Sequence, residues 1–204
     1  MRKISIIAFL ASFFIAFQSH ALSGEEIMKR TAANVNGAPS MTFRFTATTG
    51  DGARTTGTLT MCRSRFVMQT AVQSVWYDGR SLWSYAPSAG ETNLSEPLPE
   101  ELLEINPFDI LNQHASLYSI KKLSPVGKDE RIELTARKKS MAVRRAVLVV
   151  NHATMLPTAI DVTFSNSARM SIVISSAQKG KALPASAFTY PKAKYPKVKV
   201  IDLR

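Results

Sequence analysis

From residue 41 the chain alternates, one residue at a time, between apolar and polar side chains. Met41, Phe43, Phe45 and Ala47 are interleaved with Thr42, Arg44, Thr46 and Thr48. Successive side chains of a β-strand point to opposite faces, so this is the pattern of a strand buried on one side only. The pattern recurs. Gly57, Leu59 and Met61 share a face opposite Thr58, Thr60 and Cys62, and Phe66 and Met68 lead on to Val72 and Val75. Thr49-Gly50-Asp51-Gly52 separates the first two strands, and Pro87 to Gly90 marks another turn. Trp76-Tyr77 and Leu82-Trp83-Ser84-Tyr85 flank Asp78-Gly79, which reads as a two-residue hairpin loop. Further strands are expected near 117–123, 130–137, 142–150, 158–165, 168–177 and 195–202, with a loop from Pro184 to Pro191 that carries Phe188. Strands joined by short turns pair antiparallel, because a parallel pair needs a long crossover.

Few helices interrupt the strands. Residues 22–37 read as one helix, with Ser23 and Glu26 as a capping box, Leu22 and Ile27 as a hydrophobic staple, and Gly37 before Pro39 as the stop. Residues 96–115 hold Glu96, Glu100, Glu101, Glu104 and Asp109 with no Lys or Arg. There Leu98, Leu102, Leu103 and Ile105 mark a short amphipathic helix. Asn106 as N-cap and Pro107 at the first helical position start a second, carrying Phe108, Ile110 and Leu111. The class is mainly β with a few covering helices (α+β). The long meander either closes as a barrel or stays open under the helices. On its inner face Met41, Phe43, Phe45, Leu59, Met61, Phe66 and Met68 either fill a packed core or line a cavity.

The first 21 residues have the layout of a secretory leader. Met1-Arg2-Lys3 is basic, Ile4 to Phe17 is apolar, and Gln18-Ser19-His20-Ala21 ends in a small-x-small cleavage site. The apolar run is short for a bilayer span. No Cys follows it, so no lipid anchor is expected. Cleavage after Ala21 leaves a single exported, soluble domain over residues 22–204, expected in the periplasm. The net charge of +11 falls to +9 without that leader, which holds two basic and no acidic residues. In that compartment a basic surface points either to anionic lipid or acidic partners, not to nucleic acid, or simply to solubility. Cys62 is the single cysteine, so no intramolecular disulfide forms.

Enzyme chemistry has no foothold in the pattern. There is no G-x-S-x-G, H-E-x-x-H, C-x-x-C or glycine-rich phosphate loop. His114 and His152 lack a carboxylate or Cys at ligand spacing, and Asp129, Glu130 and Glu133 read as solvated strand charges. Cys62 stands beside Arg63 and Arg65, a setting that lowers a thiol pKa, but a buried and inert cysteine is the simpler reading. No enzyme activity, cofactor or metal is expected.

The stretch Trp76-Tyr77-Asp78-Gly79-Arg80-Ser81-Leu82-Trp83-Ser84-Tyr85-Ala86-Pro87 resembles the D-G-K-x-L-W-x-Y-x-P hairpin of the periplasmic lipoprotein carriers, the LolA family. The likeness extends both ways along the chain. A G-x-L strand ends in Arg63, where Ser64 stands in place of the family's usual Pro. Asn106-Pro107-Phe108-Asp109-Ile110-Leu111 is similar to the family's lid, and Phe188-Thr189-Tyr190-Pro191 to its F-x-F/Y-x-P motif. The missing lipobox separates the chain from the related outer-membrane receptor, which is itself a lipoprotein.

The resemblance implies an unclosed antiparallel half-barrel around an apolar cavity, with the helices as a lid. Its lining would be Phe43, Phe45, Leu59, Met61, Phe66 and Met68 from the sheet, joined by Trp83, Leu102, Phe108 and Ile110. The cargo would be the acyl chains of lipoproteins, carried by a monomer from an inner-membrane ABC-type releaser to an outer-membrane receptor or to the outer membrane itself. A carrier of the same fold for another apolar lipid or glycolipid is the alternative. Arg63, matching the family's strand Arg, would latch the lid by hydrogen bonds to residues 96–115, provided the strand stays regular through Leu59, Met61 and Arg63.

Overall fold

The computed structural model describes residues 22–204. The leader expected over residues 1–21 lies outside the described residues. Strands β1 (Ser40–Thr49), β2 (Arg54–Cys62), β3 (Arg65–Thr70), β4 (Ser74–Tyr77), β5 (Leu82–Ala86) and β6 (Glu91–Ser95) form one meander. A second runs through β7 (Tyr118–Val126), β8 (Asp129–Ala136), β9 (Val143–Asn151), β10 (Pro157–Phe164) and β11 (Arg169–Gly180). Pairing of β1 with β11 joins the two into one sheet of 12 strands, in the order β12-β6-β5-β4-β3-β2-β1-β11-β10-β9-β8-β7, where β12 is Lys199–Asp202. The ends β12 and β7 do not meet, so the sheet is unclosed, as the resemblance implies; the alternation by itself left a closed barrel equally open. The expected strand near 195–202 is shorter than predicted, and it pairs parallel to β6, unlike the other pairs. Residues 96–198, which include the whole second meander, separate the two strands and provide the long connection that a parallel pairing requires.

Helices α1 (Gly24–Asn36), α2 (Pro99–Ile105) and α3 (Ile110–Leu117) cover one face of the sheet, with a 3₁₀ turn at Pro107–Asp109 between the last two. The principal core lies beneath them. Ile27, Met28, Met41, Phe43, Leu59 and Tyr118 are fully buried in it, alongside Ile132, Leu134, Leu148, Val150 and Ile160 from the second meander. Each such side chain is worth roughly 1.5–3 kcal/mol against the unfolded chain. The Tyr118 hydroxyl donates to the Val143 carbonyl at 3.1 Å, and burial pushes its pKa up to about 12, so it stays neutral.

The helix caps depart from expectation in detail. Ser23 Oγ accepts from the Glu26 amide at 3.1 Å, but the Glu26 carboxylate turns to Arg30 at 2.7 Å, leaving half a capping box. Gly37 ends α1 with a right-handed φ of −75°; what demands glycine is space, since a Cβ there would stand 2.6 Å from the Ala33 carbonyl oxygen. The loop between β4 and β5 takes four residues, Asp78 to Ser81, not two. Asp78 Oδ1 accepts from the amides of Arg80 (2.9 Å) and Ser81 (2.8 Å), and Gly79 takes the positive φ. An aspartate that closes its own turn in this way outcompetes the tighter hairpin.

On the opposite face of the sheet the C-terminal segment packs over β3, β4 and β5. Tyr190 meets Trp76 edge-on at 5.5 Å and stacks on Tyr195 at 5.6 Å, Tyr195 reaches Tyr85 at 4.7 Å, and the Arg65 guanidinium lies 5.1 Å from the ring centre of the fully buried Phe188. The loop expected around Phe188 is therefore a second, smaller packing layer.

Candidate functional site

A cavity of about 380 Å³ opens between the helix-covered face and the segment linking α2 to α3. Its walls are Phe45 and Ala47 of β1, Thr55 of β2, Met68 of β3, Val75, Leu82 and Ser84 of β4 and β5, Met170 and Ile172 of β11, and Ile105, Asn106, Pro107 and Phe108 above. Thr49, Ala53, Val72 and Glu104 are exposed at its mouth. The lining includes no Lys or Arg.

The void has a sequence-level cause. Along the buried face of β1 the residues run Met41, Phe43, Phe45, Ala47, and opposite them on β2 run Met61, Leu59, Gly57, Thr55. One end of the paired strands carries large side chains and fills with core, while the other carries small ones and stays hollow. Gly57 is decisive. The Phe45 ring lies over it so closely that a Cβ would sit 2.6 Å from Phe45 Cζ and 2.8 Å from the Gln69 carbonyl oxygen.

Phe108 closes the cavity from above. It is 2 % exposed, with its ring centre 5.0 Å from Phe43 and 6.1 Å from Phe45. Around it the covering segment is tied by amide side chains. Asp109, itself buried, accepts from Asn112 Nδ2 at 2.6 Å and from Gln113 Nε2 at 2.8 Å. Gln113 Nε2 also donates to the Pro99 carbonyl at 3.1 Å, and Asn36 Nδ2 to Asn112 Oδ1 at 2.8 Å. The network joins α1, α2 and α3. Burial first, then the nearby Asp109 and Asp78 carboxylates, raises the pKa of the Tyr77 phenol.

The sequence-predicted site residues divide into three groups. Phe45, Met68 and Phe108 stand in the cavity wall. Phe43, Leu59, Met61, Phe66, Leu102 and Ile110 are buried in the adjoining core and do not reach the cavity. Trp83 and Arg63 belong to neither. Trp83 pairs with Trp76, and the alternation of β5 puts Leu82 and Ser84 on the cavity side and Trp83 on the other. Its place in the lining is therefore corrected.

Arg63 is corrected too. Strand β2 ends at Cys62, and Arg63 and Ser64 are exposed in the hairpin turn before β3, with Arg63 at φ 57°. A two-residue hairpin turn needs positive φ, which breaks the regular strand on which the latch depended. Among the described residues Arg63 makes no hydrogen bond or ion pair with the lid, and Glu96, in the acidic stretch, pairs instead with Arg80 (3.1 Å) and Arg204 (3.6 Å).

Val75, Leu82, Ile172 and Asn106 are wall residues that the sequence reading did not place in the lining. Ile172 was out of reach by pattern, because it comes to the cavity only through its register with Ala47 across the β1–β11 pair. Away from the cavity, the fold gives His152 a partner that its sequence neighbours do not. Its Nδ1 lies 2.9 Å from Glu130, which also pairs with Lys122 at 3.0 Å. Among the described residues no three His, Cys, Asp or Glu side chains gather as metal ligands, and no helix is long and apolar enough to cross a membrane. The chemistry available in the cavity is apolar enclosure with one buried amide.

Solved structures share the architecture. An uncharacterized conserved protein from Thermus thermophilus superposes with a TM-score of 0.59 at 8 % identity, over 87 % of this chain and 98 % of that one. A domain described as an outer membrane lipoprotein-sorting protein from Vibrio parahaemolyticus does so with a TM-score of 0.51 at 9 % identity, over 84 % of this chain and 97 % of that one. A LolA superfamily protein from Nitrosomonas europaea aligns at a TM-score of 0.46 and 14 % identity, over 83 % of this chain and 99 % of that one. At these identities the likeness to the first two is one of fold. None of the curated proteins matches the chain. Residues 14–166 match the family of outer membrane lipoprotein carrier protein LolA, and the chain, with its unclosed sheet and helix-covered cavity, belongs to that family.

Proposed function

We propose that the protein is a periplasmic carrier that takes up lipoprotein acyl chains released at the inner membrane and hands them on at the outer membrane. The observation that carries this reading is the apolar cavity under a segment whose Phe108 packs on Phe43 and Phe45. Its volume lies near the lower end of the ~300–1,000 Å³ common for small-molecule sites. One acyl segment can enter beside Val72 with the segment closed, and more chain requires Phe108 to swing out. Each CH₂ removed from water is worth about 0.8 kcal/mol, so even ten carbons bring roughly 8 kcal/mol, enough to offset loss of the Phe108 contacts. The walls hold the chain by dispersion and hydrophobic contact, which is undirected, and a cargo held that way can slide out again. Export through the leader at residues 1–21, with cleavage after Ala21, puts the carrier where such cargo travels. An ABC-type releaser upstream and an outer-membrane acceptor downstream complete the route.

The test is release of a triacylated lipoprotein from inner-membrane vesicles. Wild-type protein added to energised vesicles should recover lipoprotein as a soluble complex, and Ala47→Asp with Met170→Asp, at two half-buried positions of the wall, should recover none while remaining folded. A wild-type protein that binds apolar probes yet leaves every lipoprotein on the vesicles overturns the lipoprotein assignment. Mass spectrometry of lipid carried through native purification then identifies another apolar lipid or glycolipid as the cargo.

A further inference from the structure

We infer that Asn106 is a polar anchor inside the cavity, donating a hydrogen bond to the neutral carbonyl oxygen of an ester- or amide-linked acyl chain. The inference rests on the carrier reading and specifies its ligand. Asn106 is fully buried and lies in the segment that roofs the cavity, between Ile105 and Pro107. Its backbone is held at both ends: the amide donates to the Leu102 carbonyl at 2.7 Å, and the carbonyl accepts from the Asp109 amide at 2.9 Å. Its Oδ1 accepts from the Phe108 amide at 3.3 Å. That bond needs an acceptor, so it decides which end of the carboxamide is oxygen. The other end, Nδ2, is buried and has no acceptor among the described residues.

The cap does not explain the choice of residue. Serine or aspartate caps a helix start as well as asparagine does. Asparagine alone of the three adds two N–H donors, and a buried donor without an acceptor is costly. The fold leaves those donors unused in a wall made otherwise of groups such as Phe45, Leu82, Phe108 and Ile172. The other polar side chains of the lining are half-buried or exposed, where water can reach them.

The charge of the lining narrows the ligand further. No Lys or Arg lines the cavity, and Glu104 stands at its mouth. A fatty-acid carboxylate would enter against that charge and find no cation. A neutral carbonyl flanked by methylenes meets both the apolar walls and the spare donor.

The experiment is displacement of bound 1-aminoanthracene from the purified protein by methyl laurate, by laurate and by tridecane. Wild-type protein should bind the ester roughly five- to tenfold more tightly than the hydrocarbon, the usual worth of one neutral hydrogen bond. Laurate should be the weaker of the two carbonyl ligands. Asn106→Ser keeps the cap and should erase the ester's advantage over tridecane, and because it removes a buried donor that has no acceptor it should not lower the thermal midpoint. A variant that weakens both ligands equally, or that keeps the ester preference, overturns the inference. Equal affinity of wild-type protein for ester and hydrocarbon overturns it as well, while leaving the carrier reading intact; failure of every ligand to displace the probe overturns both. A second measurement needs no variant. The infrared carbonyl band of isotope-labelled methyl laurate bound to wild-type protein should lie below its position in tridecane, and an unshifted band overturns the hydrogen bond.

Discussion

Truncating Phe108 to alanine separates its role as core from its role as plug. The side chain is 2 % exposed and packs against Phe43 at 5.0 Å and Phe45 at 6.1 Å. Removing such a ring costs about 3–5 kcal/mol when the hole cannot collapse. Here it cannot, because the vacated space merges with a cavity of about 380 Å³ whose strand walls are fixed by the sheet. We therefore expect Phe108→Ala to lose about 3–4 kcal/mol in urea unfolding without ligand, at an unchanged m-value. An acyl chain should fill the new space and need no longer displace the ring. If it recovers even about 1.4 kcal/mol of the loss, its affinity rises about tenfold, and saturating ligand then stabilises the variant more than the wild type. The assay is a pair of urea titrations, with and without methyl laurate, on each protein. Equal losses in the two conditions would show that Phe108 is structural only. A loss below about 1 kcal/mol would show that the covering segment is not packed as described.

Two further outcomes follow from other parts of the fold. Gly57→Ala places a Cβ 2.6 Å from Phe45 Cζ and 2.8 Å from the Gln69 carbonyl oxygen, and since backbone cannot yield as a ring can, it should cost about 1–3 kcal/mol and push Phe45 into the cavity. Thermal melts and probe titration check this, and wild-type values for both would refute the close packing. The Glu130 carboxyl is held below its ordinary pKa, chiefly by the hydrogen bond from Lys122 and then by His152, so its contribution is present above the unfolded pKa of about 4.3 and is lost as pH falls through the lower folded value. Glu130→Gln should therefore be less stable than wild type at about pH 7 and match it near pH 2; a difference that does not change with pH would refute the assignment.

Local pattern carried some features of the site and not others. The Phe45 and Met68 side chains were legible because period two assigns a face without reference to any other strand. The Asn106-Pro107 helix start, which the structure keeps as a 3₁₀ turn with Asn106 capping Phe108, was legible too, but the place of Phe108 in the lining came from the resemblance. Arg63 misled because the same period was extended one step past the strand's end, into a turn whose positive φ resets which side each residue faces. Trp83, placed in the lining by the resemblance, faces instead a second apolar layer on the sheet's other face, built by Trp76, Tyr190 and Tyr195 from distant parts of the chain.

The sequence by itself determined the strands, the faces of β1, β2 and β3, the antiparallel meander and the two helix-forming segments, since each depends on side chains at most a few positions apart. Only the tertiary structure decided which buried residues are core and which are cavity. That division depends on pairing Met41–Ala47 with Met61–Thr55, which puts Met61 and Leu59 opposite Met41 and Phe43 but only Gly57 and Thr55 opposite Phe45 and Ala47, and on the register that carries Ile172 to Ala47. The same holds for Asn106. Its cap can be read from three consecutive residues, but its spare donor becomes visible only once every neighbouring acceptor has been placed in space.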